Sequence, residues 1–297
     1  MPRKSDNKRH ILALSGGKDS AALALYLKDR VPNMEYVFLD TGHELPETYE
    51  YLERMEAYLQ IRIIRLPKNK PQTDRFTSLL RIYNGCLPSP TNRWCTRQLK
   101  IEPFEKYIGN DFAYIYIALR ADEDRMGYDP HGKNNIVPFY PFIEDNLVKR
   151  DVFQILAETD VGIPDYYKWR SRSGCYFCFF QRKEEWIALY DNHPGCFQKA
   201  CQFEEFYDNF RESNFDYKNI NSRKKNYTWS EGETLRELID RRDEILKNAA
   251  SKVTNKISLK KKKLLDHFKN MDFRTEGDSI LNNIREEEEA ETCLICK

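Results

Sequence analysis

Short apolar runs at Ile11–Leu14, Tyr36–Leu39, Ile61–Leu66 and Ala113–Leu119 alternate, in the first half of the chain, with stretches of helical period at Ser20–Arg30 and Pro46–Gln60. Such alternation predicts an α/β fold, a parallel sheet with flanking helices. Beyond about Cys178 the strand-like runs stop. Lys183–Tyr190, Cys196–Phe210 and Glu233–Lys247 carry apolar residues three or four apart, which predicts a C-terminal helical region. The expected division is residues 1–180 as the α/β domain and 181–297 as helices. Residues 222–227 (SRKKNY) read as an exposed loop or hinge, and 259–268 as a lysine-coated helix with Leu264, Leu265 and Phe268 on one side.

The aromatic content, 17 Phe, 18 Tyr and 4 Trp, supplies enough surface to bury that disorder of the whole chain is excluded. Apolar runs fall short of the roughly 20 residues that cross a bilayer. The basic start, MPRKSDNKRH, leads into only four apolar residues, too few for a secretory leader, so a cytoplasmic protein is expected with no membrane partner. In that reducing setting eight cysteines point to metal ligation or redox chemistry rather than a disulfide framework. Charge balances at 48 basic against 47 acidic residues, but residues 247–270 hold eight lysines against one aspartate, and Glu286–Glu289 with Glu291 form an acidic tail. The lysine-rich stretch reads either as a solvated helix face or as phosphate contacts for DNA.

The sharpest local signal is HILALSGGKDS, residues 10–20, a strand running into a glycine pair and then a helix. Gly16 and Gly17 allow close approach of an anion to backbone N–H groups at the positive end of the helix. Ser15 and Ser20 add hydroxyls, Lys18 adds a charge, and Asp19 is placed to cap the helix or hold Mg²⁺. Alone, the segment is equally a plain helix start on a glycine turn. The spacing is not that of the kinase and GTPase phosphate loop.

SGGKDS resembles the PP-loop of ATP pyrophosphatases, which cleave ATP between its α and β phosphates. YVFLDTGHELPETY, residues 36–49, resembles the second strand and helix of the subgroup that includes adenylylsulfate and phosphoadenylylsulfate (PAPS) reductases. The resemblance implies a Rossmann-like sheet of the adenine nucleotide alpha hydrolase kind, with Asp40, Thr41 and Gly42 at its nucleotide edge. ALRADEDR, residues 118–125, is similar to a later strand end of that family, which implies that Arg120 and Arg125 lie near phosphates with Glu123 orienting one of them. PFIEDNLVKRDVFQIL, residues 141–156, is similar to the segment that precedes the family's cysteine pair. The likeness covers roughly residues 8–205.

Cys175 and Cys178 in GCYFC have the spacing that puts two thiolates on one metal. Iron–sulfur sulfonucleotide reductases join such a pair to a tandem Cys-Cys to hold a [4Fe-4S] cluster. Here Trp94 replaces one tandem member, so the resemblance implies Cys86, Cys95, Cys175 and Cys178 as the ligands. Zn²⁺ and free buried thiols remain alternatives. Arg97 and Lys100 lie close enough in sequence to bind an anionic substrate beside Cys95. RWCTRQLK with its upstream cysteine resembles the ATP pyrophosphatase subunit of DNA phosphorothioation systems (DndC-like, and by length SspD-like). Cys196 and Cys201 read as packed thiols, and Cys293 and Cys296 as either a redox tail or a bland end.

From these likenesses the expected activity is ATP pyrophosphatase. Mg-ATP binds Ser15–Ser20, Lys18, Asp19 and Arg120 carry the reaction, and a DNA phosphate is adenylylated for sulfur insertion. A cysteine desulfurase supplies sulfur, and other modification-complex subunits assist. Alternatives are a sulfonucleotide reductase, a non-catalytic nucleotide sensor of a defence complex, and a transfer-RNA thiolation enzyme.

Overall fold

The computed structural model describes residues 8–68, 74–130, 132–213 and 227–252, together with 254 and 262. Five strands, β1 (Arg9–Leu14), β2 (Met34–Leu39), β3 (Ile63–Leu66), β4 (Ala113–Tyr116) and β5 (Ile136–Phe139), form one parallel sheet in the order β3-β2-β1-β4-β5. The order places a switch point between β1 and β4, where consecutive loops leave the carboxyl edge in opposite directions and open a crevice. β5 has no counterpart among the apolar runs. Its four residues include Pro138, which cannot donate to a ladder and is accommodated because the strand lies at the sheet edge. β3 starts two residues after its run does, and β4 ends at Tyr116 because the chain turns from the sheet toward Arg120.

The period of two sorts each strand onto two faces. Leu12, Leu14, Tyr36, Phe38 and Tyr116 pack against α1 (Lys18–Leu27), α2 (Pro46–Leu59) and α7 (Lys149–Ala157). Ile11, Val37, Ile115 and Ile136 face the other way, onto Phe104 and Ile108 of α5 (Glu102–Ile108). The helix that ends in α5 begins at α4 (Trp94–Thr96) and passes through a π turn at Arg97–Ile101, a distortion found mostly at functional sites.

A second core is built largely from aromatic rings. Phe76 of α3 (Arg75–Ile82), Trp94, Phe177, Phe203 and Trp229 pack in one cluster, with Phe76 and Phe177 centroids 4.3 Å apart and Trp229 stacked on Phe177 at 5.2 Å. α8 (Lys183–Asn192), α9 (Pro194–Ser213) and α10 (Leu235–Asp240) close around it, and 242–252 is helical. The short α6 (Pro141–Glu144) follows β5. This core draws residues from both sides of position 180. Cys201 is buried within it and Cys196 packs against it. Residues 222–226, the acidic tail, Cys293 and Cys296 lie outside the described residues, as does most of the lysine-rich stretch. No described helix is long and apolar enough to cross a membrane.

Glu204 of α9 ties the later segment down. Its carboxylate oxygens accept from the N–H groups of Trp229 and Leu235, both at 2.9 Å. Burial pushes its pKa up from 4.5 to about 7, against the lowering effect of those two N–H groups. The folded protein therefore holds this proton more tightly than the unfolded chain. The associated stability is complete below about pH 4.5 and is lost as pH rises through 7. Glu204→Gln is neutral throughout and keeps one acceptor, so thermal melts between pH 5 and 8 are expected to lose the Glu204 part of the downward slope.

Candidate functional site: a phosphate loop beside a thiol cavity

β1 delivers Ser15, Gly16 and Gly17 to the crevice, and α1 starts at Lys18 with Gly17 as its N-cap. No side chain caps this helix, so Asp19 does not take the capping role the sequence allowed. Gly16 has φ +71°, and a Cβ there would lie 2.5 Å from the Thr48 methyl. At Gly17 a Cβ would lie 2.6 Å from Ser173 Oγ. The loop is held from both sides: Ser20 Oγ accepts from Ser15 N–H and donates to the Gly17 carbonyl, each at 3.0 Å, and Tyr166 donates to the Gly16 carbonyl at 2.7 Å. The N–H groups of Gly17 and Lys18 meet the hydroxyls of Ser15 and Tyr167, both at 3.3 Å. Long contacts to hydroxyls are of the kind a phosphate oxygen can replace.

Asp19 bonds Lys18 Nζ at 2.8 Å and Arg120 Nη1 at 2.6 Å, joining the loop after β1 to the loop after β4. Burial raises this carboxyl's pKa, but the two cations outweigh burial and hold it below 3.8. Arg120 also contacts Asp122 at 2.9 Å and Glu123 at 2.8 Å, and Glu123 pairs with Arg125 as well. Lys18 and Arg120 are thus gathered at the crevice with Asp19 between them, whereas Arg125 points to the exposed side of Glu123.

At the end of β2, Asp40 Oδ1 accepts from Gly42 N–H and from Tyr49, both at 2.8 Å, which fixes the turn with Gly42 at φ +76°. Asp40, Thr41 and Gly42 line a cavity of about 430 Å³ with His43, Asp74 and Tyr176. His43 bridges Asp74 at 2.8 Å and the Tyr176 hydroxyl at 3.1 Å. Burial raises the Asp74 pKa, but hydrogen bonds from His43 and Thr77 prevail and hold it at about 2. Sequence reasoning passed over His43 and Asp74. A histidine directly after the Asp-Thr-Gly turn was the available signal for the first, and nothing local marks the second.

Cys95, Cys175 and Cys178 line a further cavity of about 170 Å³, with Lys100, Ser173 and Thr41 also on its wall. Cys86 is not among the lining residues. Its sulfur contacts the Leu87 carbonyl at 3.7 Å and Asn92 Nδ2 at 4.0 Å. Among the described residues no three His, Cys, Asp or Glu side chains are drawn close enough to hold a metal ion. The Cys175 thiol hydrogen-bonds Cys178, which lowers the Cys178 pKa to about 6 and raises that of Cys175. Burial lowers the pKa of the Lys100 ammonium, but Glu44 and the three thiols raise it above its usual value. Arg170, wholly buried, donates to the carbonyls of Gly174 at 2.9 Å and Cys175 at 2.8 Å, which shapes the cysteine loop. Ser173 Oγ donates to Ser15 Oγ at 3.3 Å, so one residue touches the phosphate loop and lines the thiol cavity. Arg97 is paired instead with Glu102 at 3.4 Å.

A parallel sheet with a glycine turn and a helix N-terminus at its switch point is the arrangement of nucleotide-binding α/β domains. The chain belongs to the phosphoadenosine phosphosulfate reductase domain family, whose profile matches residues 9–178. It is 36% identical over 202 residues to an uncharacterized protein of Methanocaldococcus jannaschii, covering 64% of this chain and 40% of that protein. A second uncharacterized protein of the same organism is 25% identical over 203 residues, covering 65% and 47%. The chain thus spans less than half the length of either relative. Among solved structures, PAPS reductase from Candida auris in its phosphate complex aligns with TM-score 0.44 and 15% identity, over 57% of this chain and 81% of that one.

The two glycines of the loop are expected to respond differently. Gly16→Ala combines a left-handed φ with a clash on buried Thr48, a cost of about 2–4 kcal/mol, or roughly 5–15 °C in Tm. Gly17 has an ordinary φ of −104°, and of its obstacles Ser173 Oγ can rotate while Ser173 Cβ, at 2.9 Å, must shift slightly, so Gly17→Ala should lower the melting temperature less than Gly16→Ala while losing nucleotide affinity. Calorimetry paired with nucleotide titration checks both.

Proposed function

We propose that the chain is an ATP pyrophosphatase of a sulfur-transfer reaction. It transfers AMP from ATP to an oxygen of an acceptor, and by the likeness to DNA phosphorothioation subunits the acceptor is a DNA backbone phosphate. The observation that carries the reading is Ser173, which contacts the phosphate loop and lines the cavity of three thiols. Activation at phosphorus and sulfur handling are thereby neighbours.

In the proposed reaction the acceptor oxygen attacks the α phosphorus, the bond to the bridging oxygen breaks, and pyrophosphate leaves with the electron pair. The residues at the crevice supply charge rather than covalent chemistry. The N–H groups of Gly17 and Lys18, with Lys18 and Arg120, hold the phosphates in line and stabilise charge that builds on the leaving group. Asp19 keeps those two cations together until phosphate oxygens compete for them. Mg²⁺, when bound with ATP, neutralises further charge on the departing pyrophosphate. In the second half, a persulfide sulfur from a cysteine desulfurase attacks the activated phosphorus and AMP departs. A thiol then cleaves the sulfur–sulfur bond, forming a disulfide with the donor cysteine and leaving sulfur on phosphorus. The donor chemistry suits a resident group if the thiols draw together: Cys95, Cys175 and Cys178 share a lining without carboxylates and would hold a [4Fe-4S] cluster or Zn²⁺ as thiolates, with Cys86 as fourth ligand by resemblance only.

Sulfonucleotide reduction is the second reading, favoured by thiols standing next to the anion loop. Protein purified without oxygen and given labelled ATP or labelled adenylylsulfate separates the two. AMP and pyrophosphate from ATP are expected, with Lys18→Ala and Arg120→Ala each slowing the reaction by about 10²–10³-fold. Sulfite from adenylylsulfate with ATP intact would overturn the assignment. For the thiols, Cys175→Ser is expected to strip bound iron or zinc as read by elemental analysis and the visible spectrum. Full metal content in that variant refutes a metal centre there.

A further inference from the structure

The mouth of the thiol cavity carries a pattern that the phosphate loop does not use. Arg93 and Arg172 are exposed, and their guanidinium groups lie over the same ring, Phe180, at 5.4 and 4.7 Å from its centroid. Phe179 lies against Phe180 at 4.4 Å. Lys100 stands on the wall of the same cavity, whose lining holds no Asp or Glu among the described residues. Neighbouring arginines are neutralised, Arg97 by Glu102 and Arg182 by Glu184, whereas Arg93, Arg172 and Lys100 have no ion pair among the described residues. Glu44 acts on Lys100, but Arg93 and Arg172 have no carboxylate partner among the described residues, so in a chain with 48 basic and 47 acidic residues this opening carries a local positive field.

The aromatic ring matters as much as the charge. A guanidinium laid on a ring is held flat, so less rotamer freedom remains to be lost when it binds. Its N–H edges can meet phosphate oxygens, while the ring pair offers a surface for a planar base. A ligand that matches must therefore present phosphates and free base faces together. A duplex keeps its bases stacked, and an acidic peptide has charge without planar bases.

We propose that this mouth is the docking site for a single-stranded nucleic acid, with backbone phosphates on Arg93 and Arg172 and an unstacked base against Phe179 and Phe180. Lys100 then draws the phosphate toward the thiols. The proposal deepens the adenylyl-transfer reading, on which it rests for the fate of that phosphate, but the docking is measurable alone.

The test is fluorescence anisotropy of the full chain with labelled single-stranded DNA and RNA of one sequence, about a dozen nucleotides long, at several salt concentrations. Arg93→Gln/Arg172→Gln is expected to weaken binding at least tenfold and to reduce the slope of log affinity against log salt by about 1.4, or about 0.7 per lost phosphate contact. Phe180→Leu, which removes the ring but keeps a sizeable apolar side chain, is expected to weaken binding by about fivefold or more with the slope retained. The matching duplex should bind more weakly than either strand. The docking proposal is overturned if wild type binds no strand, if these variants bind like wild type, or if polyglutamate competes as well as unlabelled strand. AMP release from ATP, followed in the wild-type samples, keeps the two claims apart. ATP cleavage with rim-independent binding sinks the docking site, and rim-dependent binding without ATP cleavage sinks only the adenylyl transfer.

Discussion

β1 and β4 stand side by side at the middle of the sheet yet send their loops to opposite sides of one crevice, and one carboxylate spans the gap. Asp19 bonds Lys18 from its own loop and Arg120 from the other, so the ends of two strands about a hundred residues apart in sequence are fixed relative to each other. Without that span Lys18 would lose its carboxylate partner and Arg120 would keep only Asp122 and Glu123 of its own loop, so nothing charged would tie the two strand ends together. Tyr166 and Ser173 reach the same loop from a later part of the chain, so the segment carrying the cysteines is registered against a site already held together.

The aromatic core gives this registration its rigidity. Phe177 and Trp229 line the thiol cavity and pack with Phe76, Trp94 and Phe203, while Thr41 and Leu99 lie on the walls of both cavities. Rings packed in this way are displaced only at the cost of several neighbours at once. Arg170 adds a polar constraint to the same wall, since its two bonds to backbone carbonyls leave the cysteine loop little freedom. The larger cavity and the thiol cavity are thus parts of one packed body.

Much of the sheet and of the strand, glycine turn and helix at Ser15–Ser20 was legible in the sequence because both depend on local pattern. Alternating runs marked β1 to β4, and SGGKDS lies within a strand, a turn and a helix whose chemistry is confined to neighbouring residues. What escaped depends on partners far along the chain. β5 is four residues with a proline, too short to show a period, and exists because β4 offers it an edge. His43 gains its setting from Asp74 and Tyr176, Arg170 from a loop it helps to shape, and Ser173 from Ser15. The cysteine set was legible only in part, since spacing linked Cys175 to Cys178 while tertiary packing sets Cys95 beside them and leaves Cys86 off that lining.

Trp229 lies on the lining of the thiol cavity, held through Glu204, yet follows Cys178 by 51 residues. On a ribosome adding about 5–20 residues per second, the cysteines emerge roughly 3–10 s before that wall can close. During synthesis the thiols therefore exist for some seconds without the Trp229 wall, an interval set by chain order alone.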